Sequence, residues 1–337
     1  MMKLRSICAV TFGLPLILTS VPTHAEAVKV AITRLLSYPS VPIAIERSYF
    51  KEQGIEAEMV YFDSAEPMAV ALASGGVDFG VSGLGAAFYT LASQGQIRLL
   101  ASSAMEHGDG FSNLVFIGSP KAYESGMTTA HDLPGHTFGV TQIGTSLQYS
   151  LGLIAEKDGW PVSSVPIRPL QSIPNVITAL VGSQVDAAVL PATPLLPLLD
   201  SGKVKLLGWA SQLIPNWMGA VAFTSKKHAD QDGYMVKRFL TAYRKGSHDY
   251  HAAFAGPDNK RADNASTPAM LELLSKFTSI APGLIDRATP YIDPEGRVVM
   301  ADLAHQIAWY RSQNMMKANV KPEDFVDTRY AILAEAK

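Results

Sequence analysis

Ala71-Leu72-Ala73-Ser74-Gly75-Gly76-Val77-Asp78 aligns without a gap on Ala179-Leu180-Val181-Gly182-Ser183-Gln184-Val185-Asp186, 108 residues later, sharing Ala, Leu, Val and Asp. Each octet reads as a helix end, a tight turn and the start of a strand. Gly54 and Gly159 punctuate equivalent earlier points, 105 residues apart. Outward from the first octet, residues 28–32 form a short apolar strand and residues 37–42 a turn-rich stretch. Residues 43–53 carry apolar side chains at helical spacing, with Gly54 placed to cap the helix. Residues 55–62 read as a second strand, and Pro67 opens a helix that stops at Gly75-Gly76. Residues 77–81 are a third strand, and Ser82-Gly83-Leu84-Gly85 leads into an apolar helix over 86–93. Strands alternating with helices predict right-handed crossovers and a parallel sheet.

The second octet sits in the same grammar. Residues 137–141 are a strand, 142–146 a loop, 147–157 a helix, 165–170 a strand, 174–181 a helix and 185–190 a strand. Two extended segments without helical period, 113–118 and 220–225, are natural crossover strands. Beyond Ala229 the pattern turns helical over 233–254, 269–277 and 298–314, with a polar loop over 255–266. The predicted fold class is α/β: two similar lobes, 26–117 with 221–337 and 118–220, hinged on two crossover strands and completed by a helical C-terminal segment.

Of 337 residues, 47% are hydrophobic and 17% charged, enough for one large core or two medium ones. Residues 1–25 place Lys3 and Arg5 before an uncharged, largely apolar run over 6–18 and then Thr23 and Ala25, the layout of a secretory signal peptide cleaved after Ala25 or Ala27. A membrane anchor needs about 18 apolar residues, and this run is shorter and broken by Pro15. Its removal takes away Lys3, Arg5 and the single cysteine, Cys8, leaving 26 Lys plus Arg against 30 Asp plus Glu. The mature chain then has no thiol for a disulfide, a thiolate zinc site or a nucleophile. With no dense Lys/Arg run there is no footprint for nucleic acid. The expectation is a soluble, exported, periplasmic protein.

Several stretches resemble the periplasmic solute-binding proteins of ABC importers, in the NMT1/THI5-like branch related to nitrate, sulfonate and taurine binders and to thiamine-pyrimidine binders. They are the first octet continued through Phe79-Gly80-Val81-Ser82-Gly83, then Asp132-Leu133-Pro134-Gly135-His136-Thr137-Phe138-Gly139-Val140, and Asp324-Phe325-Val326-Asp327. The resemblance implies two α/β lobes that close on a ligand about two crossover strands. It also implies a small-molecule ligand, delivery to an ABC permease and its ATPase as partners, contact with the membrane only through that permease, a monomer, and no cofactor. Sulfonate, carboxylate and heteroaromatic ligands stay open.

In a parallel sheet, ligands bind beyond the carboxyl ends of strands, where loops enter helix N-termini. The candidate loops are 34–39, 63–66, 82–86, 105–111, 142–146 and 191–194. Gly144-Thr145-Ser146 leads them, since glycine admits close backbone approach and a hydroxyl at a helix start can cap it or donate to a ligand oxygen. The resemblance points to the same loop, where family members commonly hold an anionic group with a Gly-Ser or Ser-Ser pair. An ordinary N-cap is the alternative reading. Candidate ligand contacts are Tyr38, Ser64, Gly83, Leu84, Gly85, His107, Phe111, Gln142, Gly144, Thr145, Ser146, Tyr149, Pro191, Ala192, Thr193 and Trp217. Arg34 and His107 are the only cationic candidates in these loops, which disfavours a dianion. Asp63 and Glu66 suit an ammonium or ring N–H, or are solvated carboxylates at a helix start.

Catalytic motifs are absent: there is no His-Glu-x-x-His, no Gly-x-Ser-x-Gly and no phosphate loop. His107, His131, His136, His228 and His305 lack metal spacing, and His248 with His251 read as one exposed helical face. The alternatives are a pyrimidine-synthesis-type enzyme of the same fold, which the export signal opposes, and a ligand-sensing module, which usually appends a further domain.

Overall fold

The computed structural model describes residues 25–317 and 319–335. The expected signal segment, apart from Ala25, lies outside the described residues. The strands are β1 (Glu26–Ile32), β2 (Ile55–Tyr61), β3 (Phe79–Gly83), β4 (Ile97–Ser102), β5 (Ala104–Glu106), β6 (Leu114–Gly118) and β7 (Phe138–Val140). They continue as β8 (Ile167–Pro169), β9 (Ala187–Pro191), β10 (Lys205–Trp209), β11 (Trp217–Met218), β12 (Ala220–Ser225) and β13 (Tyr291–Ile292).

Two five-stranded sheets have matching orders, β2-β1-β3-β12-β4 and β8-β7-β9-β6-β10. In each, the first three strands run parallel and the last two antiparallel to their neighbours. Their registers coincide at the offset of the octets. Val30 pairs with Met59 and Phe79, and Phe138, 108 positions on, pairs with Ile167 and Ala187. The shared aspartates do the same work: Asp78 Oδ2 accepts the Lys29 N–H at 2.8 Å and Asp186 Oδ2 accepts the Thr137 N–H at 2.8 Å. Each fastens the residue before the third strand to the first strand, at Lys29 within β1 and at Thr137 just before β7. The turn before each strand needs a left-handed residue, supplied by Gly75 (φ 79°) and Ser183 (φ 52°).

Strands β3, β6 and β9 are buried along their length except for the half-exposed Gly83, as expected for sheets covered on both faces. Over the first sheet lies the helix Gly233–Phe254, whose Phe239 stacks on Phe79 with centroids 3.8 Å apart. The segment read as one helix over 43–53 is two, Ser40–Glu46 and Tyr49–Glu52, because Ser48 turns left-handed (φ 63°), and Phe50 is buried beside Phe239.

The expected lobe boundary after residue 117 moves to before Leu114. All five residues of β6 pair with β9, so this strand is a full member of the second sheet, and β12 is likewise wholly within the first. The chain leaves the first sheet through β5 and returns to it through β11, and these two strands pair with each other and, through β5, with β13 in a three-stranded sheet, β11-β5-β13. A C-terminal helix, Met300–Ser312, spans the crossing on one side. Its Asp302 accepts the Met218 N–H at 2.8 Å, and its His305 meets the Tyr149 hydroxyl, in the helix Ser146–Asp158, at 2.6 Å.

Candidate functional site

A cavity with about 720 Å3 of empty space, counting the part open to solvent, lies between the sheets. Its walls come from the carboxyl ends of six parallel strands: Thr33 follows β1, Asp63 and Ser64 follow β2, Gly83 ends β3, Thr141 follows β7, Ile173 follows β8 and Pro191 ends β9. Five pairs of wall residues are related by the 108-residue repeat: Thr33 with Thr141, Ser37 with Thr145, Tyr38 with Ser146, Ala65 with Ile173, and Gly83 with Pro191. The floor is the crossing itself, with Ala104, Asn113, Trp217 and Gly219.

Two helix starts face this space. Thr145 caps the helix Ser146–Asp158, its hydroxyl accepting the Gln148 N–H at 3.3 Å, and the buried Gln148 amide oxygen accepts the Gly144 N–H at 2.7 Å. The N–H groups of Ser146 and Leu147, both on the wall, have no use inside the helix. The Ser146 hydroxyl is not part of the cap and lies so close to Gly83 that a Cβ there would sit 2.7 Å from it. Opposite, Ser64 begins the helix Ala65–Ala73 without a side-chain cap bond.

The lobes touch where a third helix, Ala86–Ser93, begins. Its first N–H, from Ala86, donates to the Gly144 carbonyl across the gap at 2.8 Å. This contact borders a second recess that holds Leu84, Gly85 and Gly144 and shares Gly83, Gln142, Thr145 and Ser146 with the cavity.

Apart from one carboxylate, the chemistry of the wall is uncharged. Hydroxyls of Thr33, Ser37, Tyr38, Ser64, Thr141, Thr145 and Ser146 and the amides of Asn113 and Gln142 stand among Leu35, Leu114, Ile173 and the Trp217 indole. Burial pushes the Tyr38 phenol up to about 12, so it is a hydrogen-bond donor at neutral pH. Asp63 is the one acidic side chain on the wall, and no Lys, Arg or His joins it among the described residues.

Of the residues singled out in the sequence, Tyr38, Ser64, Gly83, Gln142, Thr145, Ser146, Pro191 and Trp217 line the cavity, and Leu84, Gly85 and Gly144 the adjoining recess. Five stand elsewhere. His107 packs on Tyr291 with centroids 4.4 Å apart and approaches Asp109 at 3.9 Å, and Phe111 packs edge-on against the same Tyr291. Tyr149 is fully buried between Trp217 and Trp309, its helix position turning it inward. Ala192 and Thr193 are buried behind Pro191. Arg34, the other cationic candidate, lays its guanidinium 3.8 Å over the exposed Tyr61 ring and does not reach the wall. Wall residues not singled out include Thr33, Ser37, Asn113, Thr141 and Ile173. Projecting the repeat through the candidate loops finds Ile173, the mate of Ala65; Thr33 and Thr141 each fall one residue before a candidate loop, and Asn113 carries no local signal.

The NMT1/THI5-like family profile matches residues 40–259, well over half of the chain. Proteins of Brucella abortus and Brucella suis that carry a binding-protein name are 29% identical over 146 residues, 43% of this chain. That match spans 41% of those relatives' own length. The periplasmic aliphatic sulphonate binding protein of Escherichia coli shares the fold with a TM-score of 0.70 at 16% identity, over 93% of this chain and 94% of its own. A ligand-binding component of an ABC-type import system from Staphylococcus aureus gives 0.72 at 13% identity, over 90% and 97%. The periplasmic nitrate-binding protein of Synechocystis PCC 6803 gives 0.61 at 13%, over 77% and 69%. The fold is the two-lobed α/β fold of periplasmic binding proteins, and the chain belongs to the NMT1/THI5-like family.

Proposed function

We propose that the chain is the exported, extracytoplasmic solute-binding receptor of an ABC importer, capturing a small organic solute between its lobes and passing it to a permease driven by an ATPase. One observation carries this reading. Equivalent strand ends of two repeated sheets converge on a single cavity whose wall alternates neutral donors with apolar surface, the makeup of a small-molecule site. Among the described residues, no helix is long and apolar enough to cross a membrane.

The wall favours a neutral solute, a monoanion or a zwitterion over a dianion. An oxygen-bearing group fits at Thr145 and Ser146, where hydroxyls and first-turn N–H groups point at it and the helix dipole favours negative charge. The apolar part of the solute then faces Leu35, Leu114, Ile173 and Trp217. Among the described residues no lysine, histidine or cysteine lines the cavity, and its polar groups are hydroxyls, amides and the single Asp63 carboxylate, a set that supports a receptor over an enzyme.

A thermal-shift screen of the mature protein against nitrate, taurine, alkanesulfonates, aromatic carboxylates, hydroxymethylpyrimidine and riboflavin tests the reading. A true solute at 100 times its Kd adds about 2.7 kcal/mol. No shift across the panel counts against small-solute capture of these classes.

A further inference from the structure

Glu106 ends β5, where the chain leaves the first sheet for the second, and is 1% exposed. Its Oε1 accepts the Asn113 Nδ2–H at 2.9 Å, and the Asn113 Oδ1 accepts the Ser37 hydroxyl at 2.9 Å. Ser37 is held from behind as well, its carbonyl accepting the Ser103 hydroxyl at 2.9 Å. Asn113 and Ser37 both stand on the cavity wall. The second carboxyl oxygen, Oε2, is buried and has no hydrogen-bond partner among the described residues. An ionised carboxylate there would be a buried charge with one oxygen unserved. A neutral acid fits the place.

We propose that Glu106 is a positioning residue for solute capture: as an uncharged acid it fixes the Asn113 amide, and through it the Ser37 hydroxyl, on the cavity wall, and ionising it loosens that wall. The proposal rests on the cavity being the solute site. Burial pushes the carboxyl up to about 8, against hydrogen bonds from the Asn113 amide and the Leu114 backbone N–H. The elements packed around β5 bring their own ionisable groups. His107 and Asp109 follow it in the chain and approach each other, and Asp293 after β13 pairs with Arg297 at 3.1 Å. His251 stands edge-on to Tyr291 of β13, and Asp302 takes the Met218 N–H of β11. Burial and the two hydrogen bonds, rather than any of these charges, set the state of Glu106. The acid is neutral at pH 7 and below, and ionises as the pH passes about 8.

The test follows the Asn113 side-chain amide by 15N NMR from pH 6 to 9.5, assigned by its loss in Asn113→Ala, together with the Ser37 13Cβ resonance. Both are expected to move with a midpoint near 8 in the unaltered protein and to stay still in Glu106→Gln, which keeps an acceptor for Asn113 but does not titrate. The Glu106 13Cδ resonance of the unaltered protein gives the same reading without any variant. A midpoint in the ordinary range of about 4, an Asn113 signal that titrates alike in Glu106→Gln, or an Asn113 titration that leaves Ser37 unmoved overturns the proposal. None of these signals needs a bound solute, so a failed solute screen and a failed titration are separate outcomes.

Discussion

Substituting Gly85 by alanine places a methyl group between the lobes. Gly85 has extended backbone (φ −158°), so alanine is accepted by the chain itself and the first sheet has no reason to rearrange. The added Cβ would meet the Gly144 carbonyl oxygen at 2.7 Å, and that oxygen is backbone, unable to swing aside. Relief requires the Gly144 loop to back away, which breaks the Ala86 N–H bond to the same carbonyl, now 2.8 Å. Losing one such bond costs about 0.5–1.5 kcal/mol, and overpacking a closed contact about 1–3 kcal/mol. Together these weigh about 2–4 kcal/mol against the closed arrangement, a rise in Kd of roughly 30-fold to nearly 1,000-fold. Calorimetric titration with the solute that gives the largest thermal shift reads the affinity, and small-angle scattering reads closure. A Gly85→Ala protein that binds within threefold of the unaltered chain and contracts equally on binding refutes the idea that this contact is made on closing.

Ser146→Ala is expected to weaken binding by about 1–3 kcal/mol with the melting temperature unchanged, because the cap belongs to Thr145. Thr145→Ala should instead lose about 1 kcal/mol of stability, and calorimetry beside melting curves tells the two apart. Gly152→Ala drives a Cβ into the Trp309 ring and should cost about 1–3 kcal/mol in denaturant unfolding by prising the C-terminal helix from the helix Ser146–Asp158. A wild-type midpoint would mean that this packing contributes nothing. Burial pushes the Asp302 carboxyl from 3.8 up to about 6, so its neutral form favours the fold at low pH and that contribution is lost as the pH rises through 6. Asp302→Asn should therefore be more stable than the unaltered protein at pH 8, by about 2–3 kcal/mol, with the two converging below pH 4. Parallel pH profiles would disprove the assignment.

The repeat was readable because the two octets carry backbone work as well as burial. Asp78 and Asp186 pin the first strand of each sheet, and Gly75 and Ser183 make the same left-handed turn. Four matches in eight residues thus stand for a register conserved through both sheets. Strands β4 and β10 lie 108 residues apart but share only Leu99 with Leu207, and β5 is three residues long, so none of them left a comparable mark. An apolar run such as Leu114–Gly118 says that it will be buried, not that it will pair with β9 in the second sheet. The same ambiguity explains the site. Loops at strand ends located Ser64, Thr145 and Ser146, whose polarity keeps them at a surface. The aromatics Phe111 and Tyr149 are adjacent in sequence to those loops yet face the core, since facing is decided by helix phase and packing that a single sequence does not display. Asn113 owes its place to Glu106 and Ser37, contacts that exist only after the chain has crossed between sheets.

The most direct test of solute capture between the lobes is a crystal structure of the mature protein with the solute that gives the largest thermal shift. Density for that solute is expected in the cavity, with a polar group at Ser146 and Thr145 and its apolar part toward Ile173 and Trp217. An empty cavity at saturating solute, or density bound on an outer face, would contradict it.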